Sequence, residues 1–129
     1  MNTVTIAFDV DGTLRDNTVA DRPVANERIR TLLVSLAHMK NTKIIIWSGG
    51  GELYCRQIAA AFGIEKYIDG YADKQWIAVD GCRGGAMKGG QCVAPDTHRH
   101  FATTIQPDIA IDDMQAFTLG KLNLIVREK

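Results

Sequence analysis

The sequence predicts an α/β fold in which parallel strands are joined by helices and the polar groups gather at one end of the sheet. Three observations carry this. Apolar runs at residues 3–10, 43–47 and 109–111 have strand composition with little polar alternation, as strands buried on both faces do. Helical periodicity follows the first two runs, giving the strand–helix order of right-handed crossovers. Each run then delivers polar groups at its carboxyl end: Asp9 and Asp11, Ser48, and Asp112 with Asp113.

Whole-chain properties narrow the classes. At 129 residues the chain is long enough for one cored domain and short for two. Its formal net charge of zero gives no general attraction to nucleic acid or anionic lipid. Basic residues do gather between Arg22 and Lys43, where a solvated helix face is the simpler reading. No run approaches the roughly 20 apolar residues of a membrane span, and no secretory signal is seen. Three cysteines, Cys55, Cys82 and Cys92, suit a reducing compartment, so a cytoplasmic location is expected.

The elements follow in order. Val4, Ile6, Phe8 and Val10 mark a buried central strand over 3–10. Residues 14–22 are polar and irregular. Asp21 is the expected N-cap of the first helix, with Pro23 in its first turn. Ala25, Ile29, Leu32, Leu33, Leu36 and Met39 then share one helical face, with Leu33 and Met39 expected in the core and His38 at the surface. Lys43–Trp47 is the second strand, with Trp47 expected in core or edge packing. It runs into Ser48-Gly49-Gly50-Gly51 and a helix whose stripe is Tyr54, Ile58, Ala61 and Phe62, stopped by Gly63.

Beyond Gly63 the pattern is less regular. Tyr67–Gly70 reads as a short strand and turn leading to Asp73-Lys74, and Trp76–Val79 as strand. Five glycines between Gly81 and Gly90 suit a hairpin tip or open loop, with Gln91–Ala94 as the returning strand. Pro95-Asp96 is expected to open a helix carrying Phe101, Ala102 and Ile105 inward. Ile109–Ile111 is the third clear strand, Met114–Leu119 a helical turn, and Leu122–Val126 the last strand.

Ligands of open parallel sheets sit outside the carboxyl ends of the strands, where Asp9, Asp11, Ser48, Asp112 and Asp113 are expected to converge. Carboxylates crowded there repel, and a hard divalent cation with oxygen ligands relieves this. Mg²⁺ fits best, since no Cys or His lies in these segments. A carboxylate can also serve as a nucleophile toward phosphorus. Ser48 and the amides of Gly49–Gly51 offer an anion site at a helix N-terminus. A lysine is then needed to balance phosphoryl charge; Lys74 is the first candidate and Lys88 the second.

These residues resemble the haloacid dehalogenase (HAD) superfamily. Asp-Val-Asp-Gly-Thr at 9–13 is similar to its first motif, Ser48 to its second, Lys74 to its third and Asp112-Asp113 to its fourth, in the family's order. The resemblance implies a Rossmann-like, mostly parallel sheet of order 3-2-1-4-5 with helices on both faces. It also implies Mg²⁺-dependent phosphatase activity. Asp9 would be the nucleophile and Asp11 the group that protonates the leaving oxygen and then activates water. Ser48, Gly49 and Lys74 would hold the phosphoryl oxygens. Asp112, Asp113, Asp9 and the Asp11 carbonyl would hold Mg²⁺. Residues 14–22 leave no room for a helical cap, so the chain resembles a capless or minimally capped member, a single domain with a Gly-rich insertion at about 75–95.

The alternatives come from other classes. A HAD-like binding or homodimerising domain with little turnover would use the 75–95 segment as a pairing element. A phosphatase of nucleic-acid ends would use the open site and the basic 22–43 region, against the zero net charge. A small-molecule phosphate ester is the first expectation for the partner. Cys82, Cys92, His98 and His100 lack the paired spacing of a zinc site and are read as ordinary thiols and imidazoles.

Overall fold

In the computed structural model, Val4–Asp9 forms the central strand β1. The structure describes residues 3–78, 87–88, 91–92, 99–102, 107–113 and 120–126, with backbone alone for 75–78, 87–88, 91–92 and 99–102. Helix α1 (Glu27–Ala37) leads to β2 (Thr42–Ser48), and helix α2 (Glu52–Phe62) leads through a 3-10 turn to β3 (Gly70–Asp73). Further on come β4 (Gln75–Ala78), β5 (Met87–Lys88), β6 (Gln91–Cys92), β7 (Arg99–Ala102), β8 (Ile109–Asp112) and β9 (Leu122–Ile125).

The main sheet has the order β3-β2-β1-β8-β9, and every pairing in it is parallel. This is the expected 3-2-1-4-5 sheet. Its strand order reverses between β1 and β8, so the point where ligands bind in such folds lies beyond Asp9 and Asp112. The two small ribbons, β4 with β7 and β5 with β6, are antiparallel.

Strand alternation sorts the core into two faces. Ile6, Phe8, Ile44, Ile46 and Ile111 pack with Ile29 and Leu33 of α1 and with Cys55, Ile58, Ala59 and Phe62 of α2. Both helices therefore lie on one face, as two right-handed crossovers stepping in the same direction require. The second face buries Ala7, Ile45, Trp47, Ala72 and Ala110, with small side chains around the indole. Of the two further helical stretches expected, Met114–Leu119 lies outside the described residues, and the one opened by Pro95-Asp96 is strand over Arg99–Ala102. Trp47 is fully buried, so its place is the core rather than an edge. At the amino end of the sheet, the carboxylates of Asp108 and Asp69 accept from the amides of Thr5 and Ile44, each at 2.8 Å, tying neighbouring strands in register.

Several boundaries differ from expectation. Helix α1 starts at Glu27 with Asn26 at the N-cap, so Asp21 and Pro23 lie before it. The stretch in front of it is held extended: Asp16 N donates to Val24 O and Asn26 N to Leu14 O, and Ala25 bridges to Arg15. Those contacts forbid helical dihedrals there. Helix α1 also ends earlier, at Ala37, so Met39 stands exposed beyond it, and Leu32 within the helix is exposed rather than in the core. On α2, Ala61 is exposed and the inward positions are Cys55, Ile58, Ala59 and Phe62; Gly63 stops the helix at φ +68° as expected.

Arg99–Ala102 is strand β7, not helix. Its register against β4 pairs Trp76 with Phe101 and Ile77 with His100, a partner the local pattern could not reveal. Gln91–Cys92 pairs with Met87–Lys88 and also lies close against β4. The turn expected at Met114–Leu119 lies outside the described residues. Among the described residues, no helix is long and apolar enough to cross a membrane.

Candidate active site

Four strands aim their carboxyl ends at one place. Asp9 closes β1, Asp112 closes β8, Ser48 closes β2, and Lys74 directly follows β3. Parallel register explains the meeting of the last two: Ser48 pairs with Asp73, and the Lys74 amide donates to the Ser48 carbonyl at 3.0 Å. Lys74 thus leaves the sheet edge pointed along the rim. Its Nζ reaches Asp9 Oδ1 at 2.6 Å and Asp112 Oδ2 at 2.7 Å, and all three side chains are buried. Among the described residues Lys74 is the lysine that reaches this group; the side chain of Lys88 lies outside the described residues.

The second oxygen of Asp9 is also held. Thr13, fully buried, donates its Oγ1 to Asp9 Oδ2 at 3.2 Å. Thr13 reaches back because the loop after β1 folds on itself: Thr13 N and Arg15 N both donate to Val10 O, and Leu14 N to Asp9 O. Gly12 makes that fold at φ +82°. A Cβ there would run into the Asp113 carboxylate, so only glycine lets Asp113 approach the loop.

Asp9, Asp112 and Asp113 each offer a carboxylate oxygen, and these lie within 4.8 Å of one another. Two buried acids and the exposed Asp113 beside them, set against one ammonium, leave an excess of negative charge at the rim. Burial pushes Asp9 up to about 8, with Lys74 opposing the rise and Asp112 adding to it. Burial raises Asp113 as well, and its neighbour Asp112 adds to this. Burial alone would lower Lys74, but Asp9 and Asp112 outweigh it and hold the ammonium above its ordinary value. The Asp9 and Lys74 shifts pull against each other, since Lys74 profits from an ionised Asp9. Lys74 is a cation in either case, with Asp112 as its second acid, and we assign the extra proton to Asp9. The donors are all hard oxygens, the set that suits Mg²⁺ or Ca²⁺ better than a softer metal.

Asp11 stands apart from this group. Its side chain is 51% exposed, and its Oδ1 accepts from the Tyr54 hydroxyl at 2.6 Å. Arg15 Nη1 donates to the same hydroxyl at 3.0 Å and lies 3.7 Å from Asp11 Oδ1. Burial, then the bond to Asp11, raise the Tyr54 phenol, so it keeps its proton and donates it. The carboxylate of Asp11 therefore takes no part in the three-acid group; the ligand atom expected from it is the main-chain carbonyl.

Ser48 is buried, and its Oγ accepts from Gly50 N at 3.0 Å. The N-terminus of α2 is already served in part by Asp73, whose Oδ1 accepts from Glu52 N at 2.6 Å. Asp73 thus acts as a cap supplied from β3. Gly49 is exposed at the start of this turn. Cys55, buried beneath, has its thiol pushed up to about 12 by burial and is inert as a nucleophile at neutral pH. Cys82, Cys92, His98 and His100 have no described side chains.

Sequence reasoning placed Asp9, Ser48, Lys74, Asp112 and Asp113 at one rim, and the structure brings them there. It did not find Thr13 as a partner of Asp9, nor Arg15 and Tyr54 as partners of Asp11. Tyr54 had a visible but misleading signal, its place in the apolar stripe of α2. Comparisons with protein-family models, curated proteins and solved structures find no match to this chain.

Proposed function

We propose that the chain is a Mg²⁺-dependent phosphohydrolase of the HAD type, acting on a phosphate monoester through an aspartyl-phosphate. One observation carries this reading. At the switch point of a parallel sheet, Asp9, Asp112 and Asp113 bring oxygens within 4.8 Å while Lys74 bridges Asp9 and Asp112. A purely structural ion pair needs one acid per lysine. Lys74 answers Asp9 and Asp112, and the third acid beside them, Asp113, points to a further cation.

In this reading Asp9, Asp112 and Asp113, with the Asp11 carbonyl, would hold Mg²⁺, which supplies charge neutralisation for the carboxylates and the phosphoryl oxygens. A carboxylate oxygen of Asp9 attacks phosphorus, and the bond from phosphorus to the ester oxygen breaks. The carboxyl proton of Asp11 goes to that oxygen, and the alcohol leaves. Asp11, now ionised, takes a proton from water as the water attacks the acyl phosphate. The bond between phosphorus and the Asp9 oxygen breaks, releasing inorganic phosphate and restoring both acids. Thr13 and Lys74 orient Asp9 for the attack, and Lys74 and the Ser48–Gly49 turn face the phosphoryl oxygens.

The exposed side of Asp11 leaves the leaving-group side open, which favours no particular ester. The first test is hydrolysis of p-nitrophenyl phosphate with Mg²⁺ and with EDTA, beside Asp9→Asn. Activity that requires Mg²⁺ and disappears in Asp9→Asn supports the reading; Asp9→Asn retaining it refutes the assignment. A panel of sugar phosphates and oligonucleotides bearing a terminal phosphate then separates small esters from nucleic-acid ends.

A further inference from the structure

We propose that Tyr54 is the positioning residue of Asp11, holding the general acid and base ready for proton transfer. The inference rests on the phosphohydrolase reading above and adds to it a residue outside the four motifs.

A half-exposed aspartate can rotate freely, yet proton transfer requires its oxygen within hydrogen-bond reach of the reacting atom. Here Asp11 is held from the side. Tyr54 Oη donates to its Oδ1 at 2.6 Å, while Arg15 Nη1 donates to Tyr54 Oη at 3.0 Å, so the hydroxyl is fixed in direction. With Oδ1 taken, Oδ2 is the oxygen left to carry the transferable proton.

Both partners are themselves anchored. Arg15 belongs to the folded loop that presents Asp11: its amide donates to Val10 O at 2.8 Å, and its carbonyl accepts from Gly12 N at 3.1 Å. Tyr54 sits in the first turn of α2, and its ring lies across the Ser48–Gly51 turn. A Cβ on Gly50 would come 2.9 Å from Tyr54 Cδ2 and 3.4 Å from Ser48 Oγ. Glycine at position 50 is therefore what allows the ring to pass. One aromatic side chain thus links the turn meant for the phosphoryl group to the acid meant for the leaving group.

Tyr54→Phe removes the hydroxyl and keeps the ring. The test compares kcat/KM, which covers the steps up to loss of the leaving group, on two esters of nearly the same shape. Phenyl phosphate needs its leaving oxygen protonated; p-nitrophenyl phosphate needs this far less. Tyr54→Phe is expected to lose roughly 10- to 100-fold on phenyl phosphate, the worth of one hydrogen bond to a charged group, and little on p-nitrophenyl phosphate. In an Asp11→Asn background the same change is expected to have no further effect on either ester. Equal losses on both esters, no loss on either, or a full loss persisting without Asp11 would each overturn the positioning role while leaving the phosphohydrolase intact. Hydrolysis of neither ester by the unmodified protein overturns both proposals. Thermal melting of Tyr54→Phe, expected to match the parent within a few degrees, separates a folding defect from a positioning one.

Discussion

Replacing Asp9 by Asn should stabilise the metal-free protein at alkaline pH while abolishing its activity. Asp9 is pushed up to about 8 from 3.8 in the folded chain, chiefly by burial. A carboxyl group raised on folding contributes its full stability below about pH 4, and that contribution is lost as pH rises through about 8. In between, the folded chain binds one proton more than the unfolded one. Stability then falls by up to about 1.4 kcal/mol per pH unit, or on the order of 5 kcal/mol across the window. That is comparable with the whole stability of a marginal domain. Asp113, also raised, acts in the same direction. Asp16 and Asp108 are lowered and act below this window, and Lys74 is raised and acts above it.

Asn removes the titration and keeps the shape. Its Oδ1 can still accept from Lys74, and its Nδ2 can donate to the Thr13 hydroxyl. Some of the gain is offset because Lys74 loses an ionic partner, so the net at pH 8 is about 2–3 kcal/mol in favour of Asn. Urea unfolding in EDTA between about pH 5 and 8 measures this. The parent should lose stability steadily toward pH 8, and Asp9→Asn should show a much flatter profile. In Mg²⁺ the ranking should reverse, because metal binding needs deprotonated ligands and strengthens as pH rises. Parallel pH profiles for the two proteins in EDTA would refute the reasoning.

Three further outcomes follow from the same geometry. Lys74→Met leaves Asp9 and Asp112 without their shared cation; it should cost about 3–5 kcal/mol in EDTA, partly restored by Mg²⁺, as read from urea melts in both buffers. Gly12→Ala drives a methyl group toward Asp113 at a backbone φ of +82°; it should cost about 1–3 kcal/mol and weaken Mg²⁺ binding in calorimetric titration. Gly63→Ala is the control, since a Cβ there meets nothing within 4 Å; left-handed strain alone should cost about 1–2 kcal/mol in thermal melts, with activity unchanged.

The main sheet and most of the rim were legible in the sequence for one reason. Buried parallel strands lack polar alternation, so an acid or serine at the end of such a run announces the ligand-binding edge. What escaped depended on pairings distant along the chain. The start of α1 was misplaced because Val24–Asn26 is held by Leu14–Asp16, a contact no capping signal records. Arg99–Ala102 looked helical until β4 supplied its partner. The reach of Lys74 to the rim needed the register that sets Asp73 beside Ser48. Tyr54 was read into the apolar stripe of α2 from its helical spacing with Ile58, Ala61 and Phe62. The hydroxyl that matters meets Asp11, 43 residues away.

The central claim is that Asp9 forms a covalent bond to phosphorus, and trapping that bond tests it most directly. Asp11→Asn, which lacks the base for the second step, is mixed with Mg²⁺ and p-nitrophenyl phosphate, quenched in acid and digested for mass spectrometry. The account requires one phosphoryl group on the peptide carrying Asp9, absent in EDTA and absent from the Asp9→Asn protein. A phosphoryl group on another residue, or steady turnover by Asp9→Asn with no labelled peptide, would contradict it.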